Sequence, residues 1–298
     1  QLQRLFAKLQ FGARPATSTT ELTRAFGWGK AQGAQQQDVQ ELCMVLFDAL
    51  DRSLAAKDGA ALSGIDSKKT TIRSRITDLF RGKCQNYIRG PKFCRYHPDP
   101  FLTLSLPIKG QASVVDALHK YFEPDQLNGD NQYFCEELDK KIDAEKGSVV
   151  ESLPPVLMLH LKRFDFDFAT MRRVKINDAC AIPEVLDMDV VLEKFKYDRG
   201  SSARAPNDMS AAPDEKENQQ KSGENDMPIN ETLPGPLAKK TFGRYELVSI
   251  MNHSGNSRGG HYRAFIRGDR SDNSADWFDF NDATVSKLDE KEVDSLFG

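Results

Sequence analysis

The stretch "NHSGNSRGGHYRAFI", residues 252 to 266, sets His261 behind Gly259 and Gly260 and at the head of a run rich in β-forming residues. Glycines let the backbone approach a ligand closely, and a strand behind them holds an imidazole rigidly at a cleft edge. Twenty residues on, "DWFDFND" (276 to 282) reads as a second strand, ending in Asn281 and Asp282. Either of these side chains is able to accept the Nδ1–H bond that fixes the tautomer of a catalytic histidine. The spacing fits a base with its orienting group; it also fits a histidine at a β-turn beside an unrelated surface Asn-Asp pair. With "RYELVSIMNH" (244 to 253), these segments make a C-terminal group of strands joined by tight polar connections.

Working back toward the N-terminus, "FLTLSLPI" (101 to 108) alternates Leu102, Leu104 and Leu106 with polar partners. "VLMLHLKRF" (156 to 164) alternates Leu157, Leu159 and Leu161 with Met158, His160 and Lys162, the period of half-buried strands. Between them, "SVVDALHKYF" (113 to 122) carries a Ser113 cap and a Val115, Leu118, Phe122 stripe, which predicts one helix. The start of the chain has only the helical period. Leu2, Leu5, Phe6 and Leu9 recur at helical spacing, and Ser18 and Glu21 are spaced as a capping box for a short helix ending at Gly27. "QQQDVQELCMVLFDALDRSL" (35 to 54) puts Val39, Leu42, Cys43, Leu46 and Leu50 on one face behind a second capping pair, Asp38 and Glu41, so Cys43 is expected in a core. Residues 55 to 75 hold Gly, Ser and Lys with few large apolar groups and read as a loop, and the strand period begins near residue 76. Helices first and strands after predict an α+β fold, a helical lobe facing a sheet lobe.

Composition excludes several classes. The 41 basic and 44 acidic side chains leave a net charge of −3, which provides no general field for nucleic acid or an anionic membrane. No apolar run approaches the roughly 20 residues that cross a bilayer. The five cysteines (Cys43, Cys84, Cys94, Cys135, Cys180) are odd in number and scattered, which argues against a disulfide framework and for a reducing compartment, the cytoplasm or the nucleus. Residues 198 to 240 contain five prolines and no aromatic side chain, with Ile229, Leu233 and Leu237 as the large aliphatics. Such a segment buries too little to offset its ordering entropy and is expected to be a disordered insertion looped out of one domain. The chain opens at Gln1 in residues that already read as helix, as expected of a piece of something longer.

"FGWGKAQGAQQQDVQELCMVLFDAL", "LPPVLMLHLKRFDFD", "VKIND", "HSGNSRGGHYRAFI" and "WFDFND" follow one another in the order in which ubiquitin-specific proteases carry their corresponding boxes. The chain resembles that family over nearly its whole length. The resemblance implies a papain-like cysteine protease fold in one domain, with thumb helices in 1–75 and a β-rich fingers and palm in 76–197 and 241–298. It implies a thiol-dependent hydrolase that cleaves the isopeptide bond after the C-terminal Gly-Gly of ubiquitin. Ubiquitin and ubiquitinated proteins are the implied partners, with no cofactor.

Residue by residue, His261 matches the base of that family and Asn281 its orienting group, with Asp282 able to assist. Asp38 and Glu41 need no role beyond capping, but they match carboxylates that face the arginine-rich ubiquitin tail. Phe164 and Tyr262 resemble the residues lining the narrow channel for the terminal glycines. The family's nucleophile lies in an Asn-Thr-Cys-type box that has no match in these 298 residues. The resemblance therefore implies either an inert part of a deubiquitinase or a ubiquitin-binding scaffold without activity. Many members also carry two C-x-x-C zinc pairs, and here both are broken: Cys94 and His97 stand at C-x-x-H spacing and Leu138 replaces the partner of Cys135. The expected fingers are zinc-free, against the alternative of a makeshift site from Cys84, Cys94, His97 and Cys135.

Overall fold

The structure, a computed structural model, describes residues 1–14, 16–28, 38–61, 75–91, 93–195, 241–256, 259–268 and 276–297. The insertion expected at 198–240 lies outside the described residues. Helices α1 (Leu2–Phe11), α2 (Thr20–Ala25) and α3 (Val39–Ala61) open the chain, as the apolar spacing predicts. Asp38 starts α3: its carboxylate accepts the Gln40 N–H at 2.7 Å and its carbonyl the Leu42 N–H at 3.0 Å. The capping box expected for α2 does not form: Thr19 is its N-cap, its carbonyl accepting the Leu22 and Thr23 N–H groups at 3.0 Å, while Ser18 one residue earlier takes the Thr20 N–H at 3.2 Å and Glu21 pairs with Lys8 of α1 at 3.2 Å.

Two boundaries differ from expectation. α3 runs on through Ala61 where a loop was expected from residue 55, because Ala55, Ala56, Ala60 and Ala61 favour helix by more than Gly59 opposes it. A short helix α4 (Arg75–Phe80) then stands where the strand period was expected to begin. No residue of α1 or α2 is buried, and Val39, Leu42, Cys43, Leu46 and Leu50 of α3 are half-buried, so Cys43 is not in the main core.

Beyond α4 come β1 (Gly82–Arg89), β2 (Cys94–Phe101), β3 (Leu104–Pro107), α5 (Val114–Phe122), β4 (Asp125–Leu127), β5 (Tyr133–Cys135), β6 (Lys140–Ile142), β7 (Ala144–Ser152), β8 (Leu159–Lys162), β9 (Phe164–Asp167), β10 (Arg172–Lys175), β11 (Val185–Asp187) and α6 (Met188–Glu193). After residues 196–240 the chain continues with β12 (Arg244–Glu246), β13 (Ser249–Asn256), β14 (Gly259–Arg267), β15 (Trp277–Asn281), β16 (Thr284–Lys287) and α7 (Glu290–Phe297). One four-stranded sheet has the order β2-β1-β7-β4 and a second the order β13-β14-β15-β16, both antiparallel.

The core forms where β3 meets α5 and α6. Leu104, Leu106 and Ile108 have no exposed surface, and Val114, Ala117, Leu118 and Phe122 of α5 close over them with Met188, Val191 and Leu192 of α6. Each of these side chains other than Ala117 contributes about 1.5–3 kcal/mol by leaving water. The buried stripe of α5 is turned by a residue from the expected one, with Val115 only partly covered. Ser113 caps α5 by accepting the Asp116 N–H at 3.1 Å. β3 pairs in parallel with β8, Leu104 opposite Leu159 and Leu106 opposite Leu161, which ties the two alternating segments into one layer. The chain on the two sides of residues 196–240 is joined twice. β11 pairs with β12, and the Asp189 carboxylate accepts the N–H groups of Phe242 at 2.7 Å and Gly243 at 3.0 Å. Among the described residues, no helix is long and apolar enough to cross a membrane.

Candidate active site

The hairpin of β13 and β14 carries the site. Its register runs from Ser249 opposite Ile266 to Asn256 opposite Gly259, so His253 faces Tyr262 and Ser254 faces His261. Two glycines make this closure possible. A Cβ at Gly260 would stand 2.0 Å from the Ser254 carbonyl oxygen and 2.5 Å from His253 Nε2, and Gly255 has φ +126°, a conformation L side chains rarely adopt.

His261 and Asn281 meet across the next strand. His261 Nε2 lies 2.6 Å from Asn281 Oδ1, with Asp282 Oδ2 4.0 Å from the same nitrogen. Asp282 sits in the turn from β15 to β16 with φ 53°, a left-handed conformation that Asp tolerates better than most residues. The expectation of a bond to Nδ1 is corrected: the bonded nitrogen is Nε2. The reason is geometric, since Asn281 lies across the strand seam from His261 and is reached by the far edge of the ring. An Nε2–H donated to Asn281 leaves Nδ1 with a lone pair, free to accept a proton from a nucleophile.

Alternation along β14 turns Tyr262 to the other face of the strand. There its ring stands 4.7 Å from that of His253, and Phe164 meets His253 edge-on at 5.6 Å. Lys175, paired with Phe164 in the β9 and β10 hairpin, donates to the His253 carbonyl at 2.7 Å and the Gly255 carbonyl at 3.2 Å, with its ammonium 3.4 Å from His253 Nδ1. The start of α3 completes this face. The Val39 N–H is directed at the Tyr262 hydroxyl, and burial, then the Asp38 charge, raise the pKa of that hydroxyl. A polar chain runs beside it: Gln40 Nε2 donates to Ser105 Oγ at 3.1 Å, which lies 3.5 Å from His160 Nδ1. Burial lowers the pKa of His160, with Asp38 opposing. Burial and then Lys175 lower that of His253, and Asp38 again opposes.

The structure thus gathers Asp38, Phe164 and Tyr262 around His253, and His261 with Asn281, with Asp282 at the edge. Glu41 lies exposed on the first turn of α3. Sequence reasoning passed over His253, Lys175, Ser105 and Gln40. The signal for His253 lay in the opening stretch itself, where antiparallel pairing of Gly255 with Gly260 puts position 253 opposite 262.

The cysteines stand apart from this chemistry. None forms a disulfide, and among the described residues no thiol bonds to His261. Burial pushes the Cys84 thiol up to about 11, raises Cys180, and with Asp38 raises half-buried Cys43. Such thiols are poor nucleophiles near neutral pH. The makeshift zinc site is excluded by register. Cys84 lies opposite Asp99 and Cys94 opposite Arg89, so the two thiols are roughly 16 Å apart along the hairpin at about 3.3 Å per residue. Cys94 and His97, three apart on a strand, point to opposite faces. Among the described residues no group of three His, Cys, Asp or Glu side chains is placed to hold a metal ion.

A family profile described as "Ubiquitin carboxyl-terminal hydrolase" matches residues 1–296. The chain is 38% identical over 320 residues to ubiquitin carboxyl-terminal hydrolase 47 of Homo sapiens, with all of this chain and 22% of that protein aligned. It is 34% identical over 292 residues to ubiquitin C-terminal hydrolase 13 of Arabidopsis thaliana, covering 97% of this chain and 21% of that one. The chain therefore spans about a fifth of the length of these relatives. Among solved structures it resembles a chain in the SAGA Ubp8/Sgf11/Sus1/Sgf73 DUB module bound to ubiquitin aldehyde. That likeness has a TM-score of 0.60 at 24% identity, over 91% of this chain and 50% of that one, and shows a shared fold. The α+β, papain-like architecture of the ubiquitin-specific protease type follows.

Proposed function

Because the chain belongs to the ubiquitin carboxyl-terminal hydrolase family, we propose that it is the base-bearing part of a thiol-dependent deubiquitinase. The observation that carries this reading is the 2.6 Å contact between His261 Nε2 and Asn281 Oδ1. Asn281 holds the Nε2–H, and Nδ1 takes the proton of a cysteine supplied by sequence outside these 298 residues. The thiolate attacks the carbonyl of the isopeptide bond after the terminal glycine of ubiquitin, and the imidazolium returns its proton to the departing lysine amine. Water, deprotonated by the same imidazole, then hydrolyses the thioester. Asp282 offers the imidazole a second acceptor. Asp38 and Glu41 supply anionic partners for the arginines of the ubiquitin tail. Phe164 and Tyr262 wall a channel that admits glycine and rejects larger side chains by collision.

A second reading, a ubiquitin-binding scaffold without catalysis, is favoured by the lack of any thiol bonded to His261 among the described residues. One experiment separates the two. An electrophilic ubiquitin probe is incubated with the 298-residue chain and with a chain extended upstream through its natural coding sequence. The proposal expects no labelling of the first and labelling of one upstream cysteine in the second. An extended chain that binds ubiquitin but stays unlabelled supports the scaffold instead.

A further inference from the structure

The two halves of the His261 and Asn281 pair sit on different hairpins. The ladder of β13 and β14 continues to Gly259, and that of β15 and β16 to the pair Asn281 and Thr284. The seam joining them, between β14 and β15, stops at Ala264 opposite Phe280. Both His261 and Asn281 therefore lie beyond the last backbone pairing that holds their strands together. Neither hairpin's own hydrogen bonds set the distance between them.

Among the described residues, one side-chain tie besides the His261 and Asn281 contact itself crosses the seam at that point. Arg263, the first residue past the end of the ladder, reaches diagonally to Asp279, with Nε 3.2 Å from Oδ1 and Nη2 bonded to Oδ2. His261 reaches Asn281 with the same diagonal stagger, two residues further along each strand, on the same face. Asp279 is 6% exposed, the one charged side chain so enclosed among the described residues. The guanidinium lies over the Phe265 ring at 5.4 Å, which limits its swing.

We propose that the Arg263 and Asp279 fork is a positioning pair that sets the separation of β14 from β15 beyond the end of their ladder, and so holds Asn281 at the Nε2 edge of His261. Two parallel N–H to O bonds fix angle as well as distance, which a single point charge does not. Removing either partner leaves Asn281 free to drift from the imidazole and the ring free to take its other tautomer. This rests on His261 being the base of the reaction above, but its test reads the ring itself and needs no turnover.

The test is nuclear magnetic resonance of ¹⁵N-histidine in the 298-residue chain across pH, for the wild type, Arg263→Gln, Asp279→Asn and Arg263→Lys, with Asn281→Ala as the reference for a lost bond. The wild type is expected to show His261 in one dominant tautomer, protonated at Nε2. Arg263→Gln and Asp279→Asn are expected to shift it to a mixture approaching that of Asn281→Ala, with Arg263→Lys intermediate and His119 on α5 unchanged. In the extended, active chain the same two variants lower kcat roughly ten- to a hundredfold with little change in KM. A tautomer shift without activity in the extended chain sinks the catalytic reading and leaves the positioning role standing. Wild-type His261 signals in folded Arg263→Gln and Asp279→Asn overturn the positioning role, as does unfolding of every variant, which would make the pair an element of stability alone.

Discussion

His253 and Tyr262 stand directly opposite each other on β13 and β14, their ring centroids 4.7 Å apart, so a titratable imidazole backs the tyrosine next to His261. Lys175 fastens the same hairpin through the His253 and Gly255 carbonyls. The wall of the proposed glycine channel is thus built around a histidine whose pKa its surroundings lower, which gives it a pH response of definite sign.

Both His160 and His253 have folded pKa values below the ordinary histidine value, by burial first and, for His253, by Lys175 next. Above about pH 6.5 both rings are neutral in folded and unfolded chains alike. Below it the unfolded chain takes protons that the folded chain resists, so stability falls as pH drops toward the lowered values. The denaturation midpoint should therefore decrease between pH 7.5 and 5.5, and the double variant His160→Gln, His253→Gln should lose much of that slope. Lys175→Met should raise the His253 titration midpoint; an unmoved His253 in that variant contradicts the placement of the ammonium.

What could be read from the sequence was local. The Asp38 cap, the α5 cap at Ser113 and the alternation of Leu104 and Leu106 each depend on neighbours a few residues away, and each forms. The His261 and Asn281 pair was visible as a spacing. Which ring nitrogen bonds Asn281 depends on where the seam of β14 and β15 ends, a long-range property. Lys175 and His253 lie 78 positions apart and meet only through tertiary packing. The zinc alternative failed for the same reason, since residue types near one another in sequence were set apart by strand register.

The thiols should react in an order set by burial. Cys94 is exposed, Cys43 half-buried, and Cys84, Cys135 and Cys180 buried. With the Cys84 thiol raised to about 11, iodoacetamide at pH 7.5 should modify Cys94 first, Cys43 slowly, and the other three only on unfolding. Peptide mass spectrometry follows each site. Cys43→Ser should cost about 1 kcal/mol through an unpaired hydroxyl on a half-apolar face. Alkylation of Cys43 as fast as of Cys94 would show that the face of α3 is misassigned.

Substitution can separate the capping of α3 by Asp38 from its proposed role at the ubiquitin tail. As the cap of α3 it bonds the Gln40 N–H, and Asp38→Ala should cost roughly 0.5–2 kcal/mol. Asp38→Asn keeps an oxygen for that bond but removes the charge. It should leave the unfolding midpoint nearly unchanged and weaken binding of ubiquitin, with no effect on ubiquitin lacking its C-terminal residues. Equal weakening for both forms of ubiquitin would mean that the carboxylate acts on the fold and not on the tail.

Gly260→Ala tests the hairpin closure. Its Cβ meets backbone oxygen and the His253 ring with no flexible group to yield, so the strands must part, at a cost on the order of 1–3 kcal/mol. Calorimetry should show a lowered Tm, and the His253 and Tyr262 resonances should shift together. An unperturbed Tm would show that the strands do not close here.

The division of labour proposed for Asn281 and Asp282 rests on their distances to one nitrogen, 2.6 and 4.0 Å. In an extended chain with the proposed activity, His261→Ala removes the proposed base and should lower kcat roughly 10²- to 10⁴-fold. Asn281→Ala disturbs tautomer and orientation but leaves the imidazole, so its loss should be smaller. Asp282→Ala alone should do least, because at 4.0 Å its carboxylate contributes little while Asn281 holds the ring. The double variant Asn281→Ala, Asp282→Ala is the informative one. If Asp282 swings in once Asn281 is gone, the double loss exceeds the product of the two single losses. Strict multiplication of the single effects would show that Asp282 never substitutes, and a larger loss from Asp282→Ala than from Asn281→Ala would show that the carboxylate, not the amide, orients His261 in the working enzyme.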